Sequence, residues 1–506
     1  MPDDVSNQAS SRVVLAATIL GSSMAFIDGT VVNVALPALQ NALHASIANV
    51  QWVVEAYALM LAALLLVGGS LGDLLGRRKI YVIGVAIFAI ASAACGLAPN
   101  IDMLICARSI QGIGAALLIP GSLALITASF PEETRGQAIG TWSGFSAITA
   151  AIGPVIGGWL IEHSTWRWVF FLNVPIAIAV MLLSARIPDS RNQNSSHHVD
   201  WPGALLVVAG LGSLTYALIE GPARASHGAT HLIISPVLGI SALAGFVAVE
   251  HWSSAPMVSL NLFRSLNFTG ANLLTLFLYA SLSGMMFFFP MDLIEIQHYT
   301  ATQAGAAFLP FVVIMFGLSR WAGGLVARYG SRIPLTIGPL VAAGGIALFA
   351  VVPQSGRYWT TIFPAVVVMG FGMAISVAPL TTTVMDAVPE SESGLASGIN
   401  NAVSRLAALL AVAVFGALLV TVFNRALDLH LSHMSLPPGV RAAVDAARPQ
   451  LASTPNPNPA IQRAINESFV SGYRFVIWIA AGLAALSSIA AWLLILPRAP
   501  RPTART

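Results

Sequence analysis

The chain has 506 residues, of which 56% are hydrophobic and 9% charged, with a net charge of +3 and a mean hydropathy of +0.79, whereas soluble domains carry roughly 25% charge. This composition describes an integral membrane protein, and so small a net charge gives no nucleic-acid surface. The two cysteines, Cys95 and Cys106, lie in apolar segments and indicate no disulfide framework, while the only lysine, Lys79, precedes Ile80, which excludes a GxxxxGK[ST] phosphate loop.

The polar, acidic start MPDDVSNQAS leads into an apolar run longer than a signal-peptide core, which reads as an uncleaved first span. A span needs about 20 apolar residues, and fourteen runs qualify: 13–37, 50–71, 80–98, 103–128, 136–160, 168–187, 202–220, 232–250, 268–291, 303–327, 333–352, 360–386, 395–423 and 471–496. With the N-terminus inside, the inner segments hold Arg12, Arg77, Arg78, Lys79, Arg135, Arg186, Arg191, Arg264, Arg328, Arg332, Arg498, Arg501 and Arg505. The short outer loops hold Arg167, Arg224 and Arg357. That asymmetry places both termini in the cytoplasm. The stretch 424–470, with LPPG and STPNPNPA, is expected as a partly disordered outer loop.

The chain repeats itself. GSLGDLLGRR (69–78) aligns with GGLVARYGSR (323–332), so that at an offset of 254 Gly69, Leu71, Gly76 and Arg78 recur as Gly323, Leu325, Gly330 and Arg332. The same offset carries span one onto span nine and span four onto span twelve. The predicted fold is therefore all-α, with two six-helix bundles in parallel repeat, residues 1–190 and 261–506, and two inserted helices within 191–260. Parallel repeats around a midplane site are a transporter plan.

Four segments carry a specific likeness. GSLGDLLGRR resembles the loop motif between spans two and three of the major facilitator superfamily, and LICARSIQGIG (104–114) its fourth-span motif with the intramembrane Arg108. GPVIGG, Gly153 to Gly158, resembles the fifth-span motif of antiporters, and DGTVVNVALP from Asp28 the first-span signature of the 14-span drug/proton antiporter branch. The resemblance implies a multidrug exporter of that branch, with a gate at Asp73, Gly76, Arg77 and Arg78 and an antiport-type helix contact at Gly153, Pro154, Gly157 and Gly158. Two departures matter: Ala327 stands where the repeat would place an aspartate, and the thirteenth span lacks the Gly-Pro pair. For the cations at 77–79, inside anchoring competes with gating.

A carboxylate at bilayer depth costs several kcal/mol and is kept for a pathway or a partner. Asp28 lies about 22 Å up the first helix, while Glu55 and Arg108 each sit roughly 8 Å below the outer boundary, so the three are expected to share a layer. Burial favours the neutral acid and a nearby guanidinium the ionised one, so rearranging the layer switches protonation. A static ion pair that ties three helices together is the alternative, and Glu55 could instead reach the headgroups. In span five, Gly140, Gly144, Gly153 and Gly157 form a small-residue face, and Pro154 frees the Ala150 carbonyl.

Asn33, Tyr279, Met285, Met286, Phe289 and Met373 are the candidate substrate contacts, because flexible thioethers and aromatic faces suit hydrophobic ligands of several shapes. Lipid-facing bulk is the competing account of each. Asp292, Asp386, Arg320 and Arg405 remain unassigned, and no HExxH or CxxC spacing supplies a metal site, so no metal or cofactor is expected.

The expected function is proton-coupled export of hydrophobic, cationic compounds across a bacterial inner membrane, the partners being a small hydrophobic substrate, protons and the bilayer. Whether an outer-membrane efflux partner attaches is left open. A dedicated exporter of one metabolite, antibiotic or lipid-like molecule is the alternative within transporters. A receptor or scaffold is disfavoured by the short inner segments, and an enzyme by the lack of a cluster of nucleophile, base and metal ligands.

Overall fold

A computed structural model describes all residues except 1, 190–199, 225–229, 254–257, 259, 354–355, 390–392, 435, 454–455 and 498–506. The inner cations Arg191, Arg498, Arg501 and Arg505 fall outside the described residues, as do the side chains of Arg224 and Arg320. The helices are α1 (Pro2–Leu43), α2 (Ile47–Leu75), α3 (Arg77–Leu97), α4 (Ile101–Ser129), α5 (Glu132–His163), α6 (Trp168–Phe171), α7 (Asn173–Ser184), α8 (Trp201–Arg224) and α9 (Thr230–Trp252). They continue with α10 (Leu266–Met291), α11 (Ala301–Ala306), α12 (Leu309–Tyr329), α13 (Arg332–Ala350), α14 (Tyr358–Asp386), α15 (Ser393–Ser432), α16 (Pro438–Ala447) and α17 (Pro459–Leu494). Among the described residues thirteen helical stretches are long and apolar enough to cross a membrane, and Trp168–Ser184 is a shorter apolar fourteenth. The fold is all-helical, as expected.

Local chemistry sets the ends. Ser46 Oγ accepts from Asn49 N while Asn49 Oδ1 accepts from Ser46 N, each at 3.2 Å, a reciprocal cap that starts α2. Asn100 Oδ1 accepts from Met103 N at 2.9 Å and starts α4. Between α2 and α3 the chain turns at Gly76, φ +115°, and between α12 and α13 at Gly330, φ +73°. These are the only positive-φ glycines among the described residues, and they are 254 positions apart, so the repeat extends to backbone conformation that only glycine adopts cheaply.

By its contacts the chain falls into two compact units, one of Met1–Met257, Met286–Leu309 and Leu409–Val476, the other of Val258–Met285, Pro310–Ala408 and Ile477–Thr506. In the first, Tyr81, Val85 and Phe88 of α3 form a buried cluster with Val14, Ala17 and Met24 of α1 and with Leu118 and Leu125 of α4. Tyr81 satisfies its buried hydroxyl by donating to the Ala17 carbonyl at 2.7 Å. Lipid supplies no hydrophobic drive between helices, so close approach does the holding. A Cβ on Gly84 would stand 2.8 Å from Leu118 N, and one on Gly114 2.6 Å from Phe88 N, which keeps α3 and α4 at backbone contact.

In the second unit Gly338, again 254 positions after Gly84, packs against Gly372 and Ser376 of α14. Asn400 of α15 donates to Asn272 Oδ1 at 3.1 Å and Thr275 Oγ1 at 2.7 Å on α10, and Ser281 donates to the Ala480 carbonyl at 2.6 Å.

The 424–470 stretch corrects the expected disordered loop. Helix α15 runs on to Ser432, α16 and a 3-10 turn at Arg448–Gln450 follow, and α17 begins at Pro459. Phe423, Leu427 and Leu431 are buried one turn apart, and Val444, Leu451, Ile461 and Ile465 bury the rest. Asp428 accepts from Arg441 at 2.9 Å and from Arg448 at 2.5 Å, and Asp445 from both arginines, which balances two cations with two carboxylates.

Candidate functional site

Helices α1, α2, α3, α4 and α7 bring buried polar groups to one point in the first unit. Asp28 on α1 is fully buried and Arg108 on α4 is 1% exposed, and Arg108 donates through Nη1 to Asp28 Oδ2. The same Nη1 donates to Gln111 Oε1 at 2.7 Å, and Gln111 Nε2 donates to Asp28 Oδ1 at 2.9 Å. Arg108 Nε donates to the Val53 carbonyl of α2 at 2.9 Å, and its guanidinium lies 4.3 Å from the Tyr57 ring centre. Asn173 of α7 donates to Asp28 Oδ1 at 3.3 Å and to Ser92 Oγ at 3.1 Å, and Ser92 donates to the Phe170 carbonyl at 2.8 Å. Both carboxylate oxygens and the Nη1 and Nε groups of the guanidinium are thus engaged, and a buried ion pair is tolerated when its remaining groups are hydrogen-bonded in this way.

Glu55 departs from the expected three-residue cluster. Its side chain is 1% exposed, so it does not reach a headgroup layer, yet neither carboxylate oxygen has a hydrogen-bond partner. Arg108 reaches the backbone two residues earlier, at Val53, which puts the Glu55 turn at the height of the pair but leaves its carboxyl outside the network. Counting residues along a helix gives height; it does not give direction around the axis.

Asp73 does not cap α3 and, in this arrangement, pairs within its own turn: Arg77 donates to Asp73 Oδ1 from Nε and Nη2, each at 2.8 Å. The start of α3 is capped by Asp189, whose Oδ1 accepts from Arg78 N at 3.1 Å. A Cβ on Gly76 would run into that carboxylate, so glycine serves both the turn and the cap.

The fifth-span glycines divide into two groups. A Cβ on Gly153 would overlap Thr30 Oγ1, and one on Gly157 would overlap Val31, both on α1. On the neighbouring face a Cβ on Gly158 would overlap the Ala301 carbonyl of α11, and Gly305 of α11 fits against the Pro154 carbonyl. Gly140 and Gly144 face open space, so the close-contact face holds only the second half of the expected series.

Of the expected substrate contacts, Asn33 sits on α1 five residues past Asp28, with its Oδ1 buried and accepting no hydrogen bond. Tyr279 lines a small polar cavity of about 80 Å³ in the second unit with Thr381, Asn400, Asn401 and Ser404. Met285 and Met373 are buried, Phe289 packs edge-on against Phe308 at 4.8 Å, and Met286 is half-buried. Gln111, Asn173, Ser92 and Tyr57 were not singled out in the sequence. Only Gln111, one turn after Arg108, offered a signal.

Among the described residues no cluster of His, Cys, Asp and Glu could hold a metal ion. The arrangement can hold or exchange a proton and a charge between helices, and it offers no nucleophile poised beside a base.

The sequence model described as Major Facilitator Superfamily matches residues 18–412. The chain is 32% identical over 492 residues to the multidrug resistance protein Stp of Mycobacterium tuberculosis (strain CDC 1551 / Oshkosh), covering 95% of this chain and 91% of that protein. It is 30% identical over 488 residues to the tetracenomycin C resistance and export protein of Streptomyces glaucescens, covering 94% and 90%. Among solved structures, a bacterial homolog to the human lysosomal transporter Spinster, inward-facing and unoccupied, aligns with a TM-score of 0.67 at 17% identity, over 97% of this chain and 99% of that one.

Proposed function

The chain belongs to the major facilitator superfamily and is a multi-pass membrane transporter, and from that premise we propose that it is a proton-coupled antiporter exporting hydrophobic, cationic drugs or toxic compounds by alternating access. The observation that carries the coupling is the contrast between two buried carboxyls. Asp28 is engaged on both oxygens by Arg108, Gln111 and Asn173, while Glu55 on the adjoining helix is engaged on neither. Charge without a partner at that depth costs several kcal/mol, and Glu55 is in this proposal the carboxyl that carries the proton.

In this reading a proton held at Glu55 is released when α2 moves and Glu55 meets water or the freed guanidinium of Arg108. The Asp28 pair opens and recloses as the helices shift, with Gly153 and Gly157 allowing α5 to slide on α1. One proton entering down 100 mV supplies about 2.3 kcal/mol, enough for roughly fifty-fold accumulation of a neutral compound outside, whereas exchange of one proton for one monovalent cation moves no net charge and is driven by the pH difference, about tenfold per pH unit. The excess of arginine in the inner segments supports cytoplasmic termini, and the proposal places the chain in a bacterial inner membrane.

The relatives' names support export of drugs, and they also supply a second reading. Stp is named for multidrug resistance, whereas the tetracenomycin C protein is named for one compound, so a dedicated exporter of one chemical family is the competing assignment.

The test is dye efflux in everted vesicles with and without an uncoupler, repeated across a broad panel of compounds. Loss of efflux on uncoupling is the expected result, and efflux that survives it removes the proton from the mechanism. Response to a single chemical family would select the second reading.

A further inference from the structure

The repeat that pairs Gly76 with Gly330 also pairs the helix starts that follow them, and the two starts differ in charge. In the first unit two carboxylates serve the turn: Asp73 accepts from Arg77, and Asp189 Oδ1 accepts from Arg78 N. In the second unit Ala327 stands in the place of Asp73 and Arg332 in the place of Arg78. No side chain caps the first turn of α13. The imbalance extends over the unit, whose residues include nine arginines against the carboxylates Asp386, Glu390 and Glu392.

Arg332 is held in a set position there. Its guanidinium lies 3.9 Å from the centre of the Trp492 ring on α17, a stacking that fixes the plane of the charge. The register comes from one turn further along both helices, where Ser488 Oγ donates to the Thr336 carbonyl at 2.6 Å. Nε of Arg332 is buried and donates to nothing. Nη1 and Nη2 are not sealed, and among the described residues no carboxylate pairs with them. Leu496 N donates to Asn267 Oδ1 at 2.8 Å, which brings the start of α10, and Arg264 just before it, to the same end of the unit. Trp492, Leu493 and Leu496 are exposed beside this charge.

The geometry points to a binding site for a phosphate group at the start of α13, accepting from Arg332 Nη1 and Nη2 and from the first-turn N–H groups, as Asp189 does for α3. The planar fork of a guanidinium matches phosphate oxygens, and a helix N-terminus favours negative charge. Such a group has two sources, an acidic phospholipid of the inner leaflet or a soluble phosphate. An exposed tryptophan and two leucines next to a cation are the composition of a headgroup layer, so the lipid is the expected source. The site does not depend on proton coupling, and its test reads binding without transport.

The probe is phosphatidylglycerol with a diazirine high in one acyl chain, photolysed with the full-length protein in maltoside micelles, and its attachment points are mapped by mass spectrometry. Crosslinks are expected within 328–336 or 488–496. Unlabelled phosphatidylglycerol should compete better than phosphatidylcholine, whose choline cancels the phosphate charge, and Arg332→Gln should weaken that preference about fivefold. Ser331→Asp gives α13 a carboxylate of its own and favours the helix, so it should weaken the preference as much without unfolding the protein. Arg12→Gln, which removes a different inner cation, should leave the preference unchanged. Crosslinks elsewhere, equal competition by the two lipids in the unaltered protein, or an equal loss in Arg12→Gln would overturn the proposal. Competition by inorganic phosphate assigns the site to a soluble ligand, and its failure to compete assigns the site to the headgroup; either supports it.

Discussion

Arg108 donates to Asp28, eighty positions earlier in the chain, and both side chains are sealed from solvent. The pair joins α4 to α1, and the second arm of the guanidinium reaches α2 at Val53. Removing one partner leaves the other charge buried without compensation, which costs about 3–5 kcal/mol. Asp28→Asn should therefore both stop coupled export and lower the melting temperature of the purified protein. The double variant Asp28→Asn with Arg108→Gln removes both charges and should recover part of the lost stability without restoring export. A thermal double-mutant cycle checks this, and strictly additive losses would mean that the two residues are not energetically coupled.

Glu55 makes the opposite prediction. Its carboxyl has no hydrogen bond to lose, and glutamine keeps its shape, so Glu55→Gln should stay within about 1 kcal/mol of the parent in stability. Its effect belongs to transport: efflux should persist only down a substrate gradient and lose its response to an imposed pH difference. Efflux rates measured at several pH gradients separate the outcomes. A variant with normal pH response would transfer the proton to Asp28 or to a residue outside this layer.

How much of this was legible in the sequence depended on the kind of residue. Asp28 and Arg108 stood out because a charge in an apolar run is rare and costly. Asn173 and Ser92 did not, because uncharged polar residues are ordinary within spans and become part of a network only when particular helix faces meet. The 254-residue offset predicted the paired turns, and Gly76 and Gly330 share positive φ as that offset requires. The 424–470 stretch misled because its prolines and asparagines hide two helical signals. Phe423, Leu427 and Leu431 continue the buried face of α15 past its expected end, and VRAAVDAA between the two proline-rich pieces has the alanine content of a short helix.

The glycines of α5 allow a comparison within one helix. A Cβ on Gly158 would meet backbone of α11, which cannot rotate away, whereas Gly140 faces nothing. Gly158→Ala should cost about 1–3 kcal/mol by overpacking and slow transport, while Gly140→Ala should leave stability unchanged or raise it slightly, since alanine favours the helix. Melting temperatures of the two variants, measured side by side, decide the point. Equal effects would mean that α5 and α11 do not pack as closely as their backbones indicate.

At the Gly76 turn, two aspartates have separate jobs. Asp189 caps α3 through Arg78 N, and Asp73 pairs with Arg77 at a half-exposed site. Loss of a helix cap costs about 1 kcal/mol, so Asp189→Ala should lower the melting temperature while the correctly folded fraction still transports. The Asp73–Arg77 pair is worth only about 0.2–1 kcal/mol at its exposure, so Asp73→Asn should hardly change melting. If Asp73 is the gate, that same variant should cut the transport rate at least tenfold, an effect far larger than the stability change can produce. Rates normalised to folded protein, compared with melting temperatures for both variants, distinguish the roles. The reverse pattern, with transport lost in Asp189→Ala and kept in Asp73→Asn, would move the gate from the motif's aspartate to the capping one.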